Sequence, residues 1–281
     1  MASSRVPRVA VFDSGLGGLT VLAEIVKARP DVDIIYAADD ARFPYGEMSE
    51  GELVARVSDV VGELIAATAP DVVVIACNTA STLVLPPLRA AHPGIAFVGT
   101  VPAIKPAAES SRSGLVSVLA TPGTVARDYT LALIRDFAAG CEVELVGAPG
   151  LAAIAERWLR NEPIDRDAVR HEIAPCFVRK GERRTDKVVL ACTHFPLLVG
   201  VFADLSPWRV DFVDPAPAIA RRVDVLLGPS TTAAYKRTSL APACFTSGRA
   251  PTLGLQKALH RFGLVFSSEA MRPAPVARAA I

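Results

Sequence analysis

Two cysteines carry the chemistry that this sequence offers most directly. Cys77 and Cys192 each end a run of buried-strand type, Val72-Val73-Val74-Ile75-Ala76 and Val188-Val189-Leu190-Ala191, and each leads into polar residues, Asn78-Thr79 and Thr193-His194, rather than into more core. A thiol so placed stands half in a cleft. Free cysteine is by default a small buried hydrophobe, and Cys141, Cys176 and Cys244, which lack the polar sequel, are read that way. The matched contexts of the other two ask for more. His194 makes best sense as a thiol partner, because a nearby imidazolium stabilises a thiolate. A Cys-x-His pair supplies only two zinc ligands, and a zinc site would have to borrow Cys77 and Asp13 to reach four. Two thiols facing each other across a cleft, with Asp13 near one and His194 near the other, would take a proton from one face of a carbon beside a carboxylate and deliver one to the opposite face. That is stereochemical inversion. Such a carbon is a very weak acid, so the site must also direct donors at the carboxylate and keep water out.

Further candidates lie in loops. Asp13-Ser14-Gly15-Leu16-Gly17-Gly18 follows the first strand and opens a helix. Its glycines let backbone N–H groups approach a ligand, and a helix N-terminus favours an anionic group. It is neither a dinucleotide fingerprint, since Thr20 stands where Gly or Ala is needed, nor a P-loop, since no Gly-Lys-Ser/Thr follows. Asp39-Asp40-Ala41-Arg42-Phe43-Pro44-Tyr45-Gly46 follows the second strand; Tyr45 and Gly46 offer hydroxyl and backbone contacts, whereas the Asp pair reads as a solvated turn. Loops at one edge of a parallel sheet meet around one crevice, so the Asp13, Tyr45 and Cys77 loops should converge.

The elements that must position these residues are legible as alternation. Arg8-Phe12, Asp33-Tyr36, Val72-Ala76, Ala96-Val98, Gly114-Leu119, Glu142-Val146, Val188-Ala191 and Val210-Val213 read as strands apolar on both faces, the pattern of a parallel sheet covered by helices. Leu19-Arg29, Ser49-Ala67, Thr124-Phe137, Leu151-Arg160 and Asp165-Val178 read as helices, the second opened by a capping box of Ser49 and Glu52. The stretch Asp71–Thr79 resembles Asp186–His194, 115 residues on: a charged start, a buried strand, Ala, then Cys with a hydroxyl residue close behind. A repeat at that separation suggests two similar α/β lobes, each presenting a Cys at the carboxyl end of a strand. Arg179, Lys180, Arg183 and Arg184 read as a solvated loop. After about Gly228 we expect a packed return segment with one helix, Pro251-Arg261, and then a frayed tail.

Composition bounds the rest. At 281 residues, 51% hydrophobic and 21% charged, the chain can bury a full core in one large or two modest domains. A formal charge of +1 gives no overall field to draw in nucleic acid or an acidic membrane. The stretch Val72–Leu88 is interrupted by Asn, Thr, Ser and a Pro pair, unlike a membrane span, and the N-terminus has no secretory pattern, so a cytoplasmic location is expected. Five cysteines without a CxxC pair fit reduced thiols.

Four segments together, Val11–Val21, Asp39–Gly46, Ala76–Ser81 and Ala191–Pro196, resemble the glutamate racemase family within the cofactor-independent aspartate/glutamate racemases, over nearly the whole chain from Arg8 to about Leu227. The resemblance implies two pseudo-symmetric doubly wound α/β domains with the active site in the cleft between them. The first would be 1–103 with 219–281, the second 104–218. It implies no PLP, no metal and no other cofactor. Carried over position by position, Cys77 and Cys192 are the catalytic thiols, assisted by Asp13 and His194. Asp13, Ser14, Tyr45, Gly46, Asn78, Thr79, Thr193 and His194 hold the amino acid. Glu156 falls near an auxiliary glutamate, although Ala148–Ala155 departs from the family's usual pattern there; Asp40 and Arg127 stand where Thr and Ser are more usual. The activity implied is interconversion of L- and D-glutamate, the D-isomer feeding peptidoglycan synthesis and hence cell shape. The expected partner is the small-molecule substrate, and the expected assembly a homodimer. The alternatives are a racemase of aspartate or another acidic amino acid, and a non-catalytic binding protein on the same fold.

Overall fold

The computed structural model describes residues 5–230 and 239–269. The chain runs β1 (Arg8–Asp13), α1 (Leu19–Ala28), β2 (Asp33–Ala38), α2 (Glu50–Thr68), β3 (Val72–Ile75), α3 (Asn78–Ala91), β4 (Ala96–Gly99) and α4 (Ile104–Ser110). It continues through β5 (Leu115–Ala120), α5 (Pro122–Val125), α6 (Asp128–Phe137), β6 (Glu142–Gly147), α7 (Leu151–Leu159), α8 (Arg166–Ile173), β7 (Arg179–Lys180), β8 (Arg183–Arg184), β9 (Lys187–Ala191), α9 (Val199–Leu205) and β10 (Asp211–Val213). α10 (Ala216–Leu227), β11 (Ala241–Phe245), α11 (Leu253–Arg261) and β12 (Leu264–Phe266) complete it.

The strands form two parallel sheets, in the orders β12-β11-β2-β1-β3-β4 and β10-β9-β5-β6, plus a small hairpin of β7 and β8. Successive side chains of a strand point to opposite faces, and here both faces are apolar. Val9, Val11 and Val74 join the core under α1 and α10, while Ala10, Phe12, Val73 and Ile75 join the core under α2 and α3. The second sheet divides alike: Val188 and Leu190 pack toward α7 and α8, Val118 and Val189 toward α4 and α6. Each Val, Leu, Ile or Phe among them, taken out of water, contributes about 1.5–3 kcal/mol. β3 and β9 hold corresponding places, each an interior strand of its own sheet. Each is entered through an Asp whose N–H donates to the neighbouring strand, Asp71 to Arg8 O and Asp186 to Leu115 O, both at the strand's amino end. Both sheets therefore aim a cysteine-tipped strand out of their carboxyl edges.

Local differences from the sequence reading have identifiable causes. The expected helix over Thr124–Phe137 is two helices: Thr121 caps α5 at Thr124 N, and Arg127 is extended, with ψ 137°, before α6 begins. The helix expected over Asp165–Val178 stops at Ile173, with Asp165 capping Asp167 and Ala168. The Arg/Lys loop is an exposed hairpin, β7 on β8, whose Lys180 and Arg183 pair with Glu142. The apolar run containing Pro86 and Pro87 holds α3, with the prolines in its later turns and Ala80, Val84 and Leu88 buried on one stripe. The return segment adds two strands, β11 beside β2 and β12 beside β11, that its Ala/Pro/Cys composition does not announce. The Pro- and Ala-rich end read as a frayed tail lies outside the described residues. Among the described residues no helix is long and apolar enough to cross a membrane.

Candidate active site

Cys77 and Cys192 stand where β3 and β9 end, 5% and 6% exposed. The loop after β1 reaches both: its Ser14 meets Cys77, and its Gly17 meets His194, which contacts Cys192. Cys77 is the N-cap of α3, and its Sγ lies 3.7 Å from Ser14 Oγ. Burial, reinforced by the Asp13 carboxylate, pushes this thiol well up, against the Ala80 N–H and Ser14 contacts that favour the thiolate. Cys192 Sγ lies 3.9 Å from His194 Nδ1, and His194 is 2% exposed beneath the Phe43 ring at 5.3 Å. Burial works against a charged imidazole, but Cys192, the Glu156 carboxylate and the charge of Asp13 together hold His194 well above its ordinary range. The surroundings thus favour the protonated form of the Cys77 thiol and the imidazolium form of His194 beside Cys192.

Glu156 reaches this site from α7. Its Oε1 accepts Leu16 N–H at 3.0 Å and lies 3.3 Å from His194 Nε2, while Oε2 accepts Arg160 Nη2 at 2.6 Å. Burial raises its carboxyl, and the His194 hydrogen bond, the His194 charge and Arg160 outweigh it, leaving Glu156 below the usual carboxylate range. Gly17 N–H also lies 3.1 Å from His194 Nε2. The two Nε2 contacts belong to different protonation states: the imidazolium donates to Glu156, and the neutral Nδ1–H form accepts from Gly17.

The glycine loop has a further use beside the one its sequence suggests. Two of its N–H groups are taken by the protein's own carboxylates, Leu16 by Glu156 and Gly18 by Asp13 Oδ2 at 2.9 Å. Its glycines make room for the opposing lobe: a Cβ at Gly15 would come within 2.3 Å of Glu156 Oε1, and one at Gly17 within 2.4 Å of His194 Nδ1.

Among the described residues, the buried polar side-chain atoms without a hydrogen-bond partner include Asp13 Oδ1 and both amide atoms of Asn78. Buried polar groups are almost always paired, so these atoms are what a small polar ligand would satisfy. Burial raises the Asp13 carboxyl, opposed by the His194 charge and the Gly18 N–H.

A family model for Asp/Glu/hydantoin racemase matches residues 14–223. The chain belongs to this family. A relative named glutamate racemase from Brucella ovis is 55% identical over 258 residues, which is 92% of this chain and 93% of that protein. Among solved structures, the Escherichia coli glutamate racemase in complex with L-glutamate and the activator UDP-MurNAc-Ala aligns at TM-score 0.83 and 41% identity, over 93% of this chain and 97% of that one. The glutamate racemase from Aquifex pyrophilus aligns at TM-score 0.67 and 28% identity, over 92% and 96%. The two-domain α/β architecture of these racemases is the one seen here.

The predicted site residues gather unevenly. Asp13, Ser14, Cys77, Asn78, Thr193 and His194 are all buried at the facing carboxyl edges of the two sheets. Glu156 joins them despite its unusual flanking sequence. Thr79 is committed across the cleft, its Oγ1 3.1 Å from Thr121 Oγ1 and 3.3 Å from Thr124 Oγ1. Gly46 lies beside Thr121. The hydroxyl of Tyr45 is not free for a ligand: it donates to Asp39 Oδ2 at 2.6 Å. Asp39, far from a solvated turn, is fully buried and also receives Arg56 Nε and Nη2, at 2.9 and 2.5 Å, and Thr246 Oγ1 at 2.5 Å. Asp40 accepts Ser247 N–H at 2.9 Å, so the pair fastens the Tyr45 loop to the strap after β11. Thr121, Thr124 and Arg160 escaped the sequence reading; the first two lie at the N-cap and in the single turn of α5 directly after β5, where the strand-edge rule would have found them. No group of three or more His, Cys, Asp or Glu among the described residues is arranged to hold a metal ion. Cys176 and Cys244 are buried, their thiols pushed up to about 12 and about 11 by burial.

Proposed function

We propose that this chain interconverts L- and D-glutamate by two-thiol proton transfer at Cα. The observation that carries the reading is the pair of buried thiols at corresponding strand ends of two sheets, joined by the loop after β1, whose Ser14 touches Cys77 and whose Gly17 touches the His194 beside Cys192. One works as thiolate base and the other as thiol acid, and the roles exchange with the enantiomer bound. His194 and Glu156 keep Cys192 beside a proton source, while Asp13 and Ser14 attend Cys77. Asn78, Thr193 and the unpaired Asp13 oxygen supply partners for the amino and α-carboxylate groups, with Gly46, Thr79 and the Tyr45 loop beside them. The developing negative charge at the α-carboxylate is stabilised by donors already in place.

In this reading 1–103 with 219–281 form one lobe and 104–218 the other, the return falling within α10. The enzyme works in the cytoplasm as a homodimer, and its product enters peptidoglycan synthesis. The test is racemisation of L-glutamate followed by optical rotation. The parent protein should bring rotation to zero, Cys77→Ala and Cys192→Ala should each abolish this, and Cys→Ser should leave a trace, since a hydroxyl is far less acidic than a thiol. Undiminished rotation with the parent protein would favour a binding protein, and full activity in either Ala variant would end the two-thiol mechanism.

A further inference from the structure

The His194–Glu156 pair continues outward to a cation that proton transfer does not itself need. Arg160 lies one turn after Glu156, its Nη2 2.6 Å from Glu156 Oε2, with the Arg side chain 26% exposed and the Glu 9%. A carboxylate held at both oxygens keeps one orientation; here Oε2 is on Arg160, and Oε1 is on Leu16 N–H and His194 Nε2. The end of α7 that carries Arg160 is itself clamped from α11. A Cβ at Gly254 would come within 2.7 Å of the Arg160 carbonyl, and Arg261 Nη2 donates to the Leu159 carbonyl at 2.7 Å. We propose that Arg160 is a positioning residue for the reaction: by holding Glu156 Oε2 it aims Oε1 at His194 and so fixes the imidazole beside Cys192.

This rests on the racemase reading for its consequence in catalysis, but not for its geometry. The charged and titratable groups that face His194 are Cys192, Glu156 and Asp13, with Arg160 behind Glu156. Loss of Arg160 acts on His194 in two opposed directions. Removing a nearby cation raises the His194 titration midpoint, whereas releasing Glu156 from its aim removes the partner that favours the imidazolium and lowers it. Positioning requires the second to win.

The experiment is an NMR titration of His194 in the ligand-free full chain, whose four histidines are assigned by substitution. In Arg160→Gln the midpoint should fall by about half a unit or more, with the basic limb of the kcat/KM profile moving the same way. Arg160→Lys should keep most of the parental value. Glu156→Gln should give a similar fall, and adding Arg160→Gln to it should give no further fall, only the small rise that loss of a cation brings. An unchanged or raised midpoint in Arg160→Gln, or an additive shift in the double variant, overturns the proposal. Should Arg160→Gln not fold, Arg160→Lys, a point donor that cannot hold the carboxylate as a planar guanidinium does, reads the same fall at smaller size. The titration needs no turnover, so it stands apart from any failure to racemise glutamate.

Discussion

Substituting Gly17→Ala places a methyl group where His194 already stands. The new Cβ would lie 2.4 Å from His194 Nδ1, 2.7 Å from its Cγ and 2.7 Å from its backbone nitrogen. Ordinary contact begins near 3.4 Å, so the ring must retreat by about 1 Å and the backbone by somewhat less. Turning the ring does not help, because the main chain blocks as well. Gly17 is not among the positive-φ glycines, so alanine is acceptable to the backbone and the whole cost is steric. Overpacking of this kind costs about 1–3 kcal/mol, about 2–4 °C in Tm for each kcal/mol in a chain of this size. The ring that retreats is the partner of Cys192, and a misplacement of about 1 Å at reacting groups costs on the order of 100-fold. We therefore expect kcat/KM for glutamate to fall about 100-fold while the protein stays folded. Gly62→Ala, within α2 and with nothing within 4 Å of its Cβ, serves as control and should be neutral or stabilising by about 0.5–1 kcal/mol. Parental kcat/KM in Gly17→Ala would refute the claim that the glycine loop exists to admit His194.

Three further outcomes follow from the same geometry. Asn78→Ala should leave Tm unchanged or raised, since neither amide atom has a partner without ligand, yet lower kcat/KM by about 10- to 100-fold through 1–3 kcal/mol of lost polar contact; a large Tm loss without a kinetic effect would contradict this. Arg56→Met should cost about 1–3 kcal/mol, discounted because the Arg side chain is 32% exposed, and raise KM by loosening the Tyr45 loop. Its pH dependence has a fixed sign. Asp39 is lowered in the fold, burial being outweighed by Arg56, Thr246 and Tyr45, so its contribution is present above the unfolded pKa near 3.8 and lost as pH falls through the folded value; the gap between parent and variant should close in acid. His194 has the opposite sign: raised in the fold, it stabilises fully below its unfolded value near 6.5 and loses this as pH rises through the folded one. Denaturant titration of the parent against His194→Gln should show the gap shrinking on the alkaline side, and a constant gap would remove the imidazolium.

The sequence made the sheets legible because both faces of their interior strands are apolar, although the edge strand β6 keeps Glu142 and Glu144 exposed, and made the thiols legible because each breaks from an interior strand into polar residues. What it hid was occupancy. The glycine loop has the chemistry of an anion site, and nothing local says that the anion is Glu156, 140 residues away. The Asp39-Asp40 pair looks like a solvated turn because its partners, Arg56, Thr246 and Ser247, come from α2 and from the strap after β11. Likewise β11 and β12 are short and poor in β-branched residues, and they are strands because β2 offers them an edge. Tertiary pairing decides such cases, and composition does not carry it.

The most direct test of the opposed-thiol claim uses the parent enzyme in D₂O. Substrate and product are mirror images, so the equilibrium constant is one and kcat/KM must be equal for both enantiomers; rates alone cannot tell two bases from one. Isotope position can. Thiols exchange with solvent, so a thiol on the far face delivers deuterium. Starting from either enantiomer, early product should carry deuterium at Cα from its first appearance while recovered substrate keeps its hydrogen. Substrate hydrogen carried into the product, or deuterium entering recovered substrate as fast as product forms, would mean that one group serves both faces.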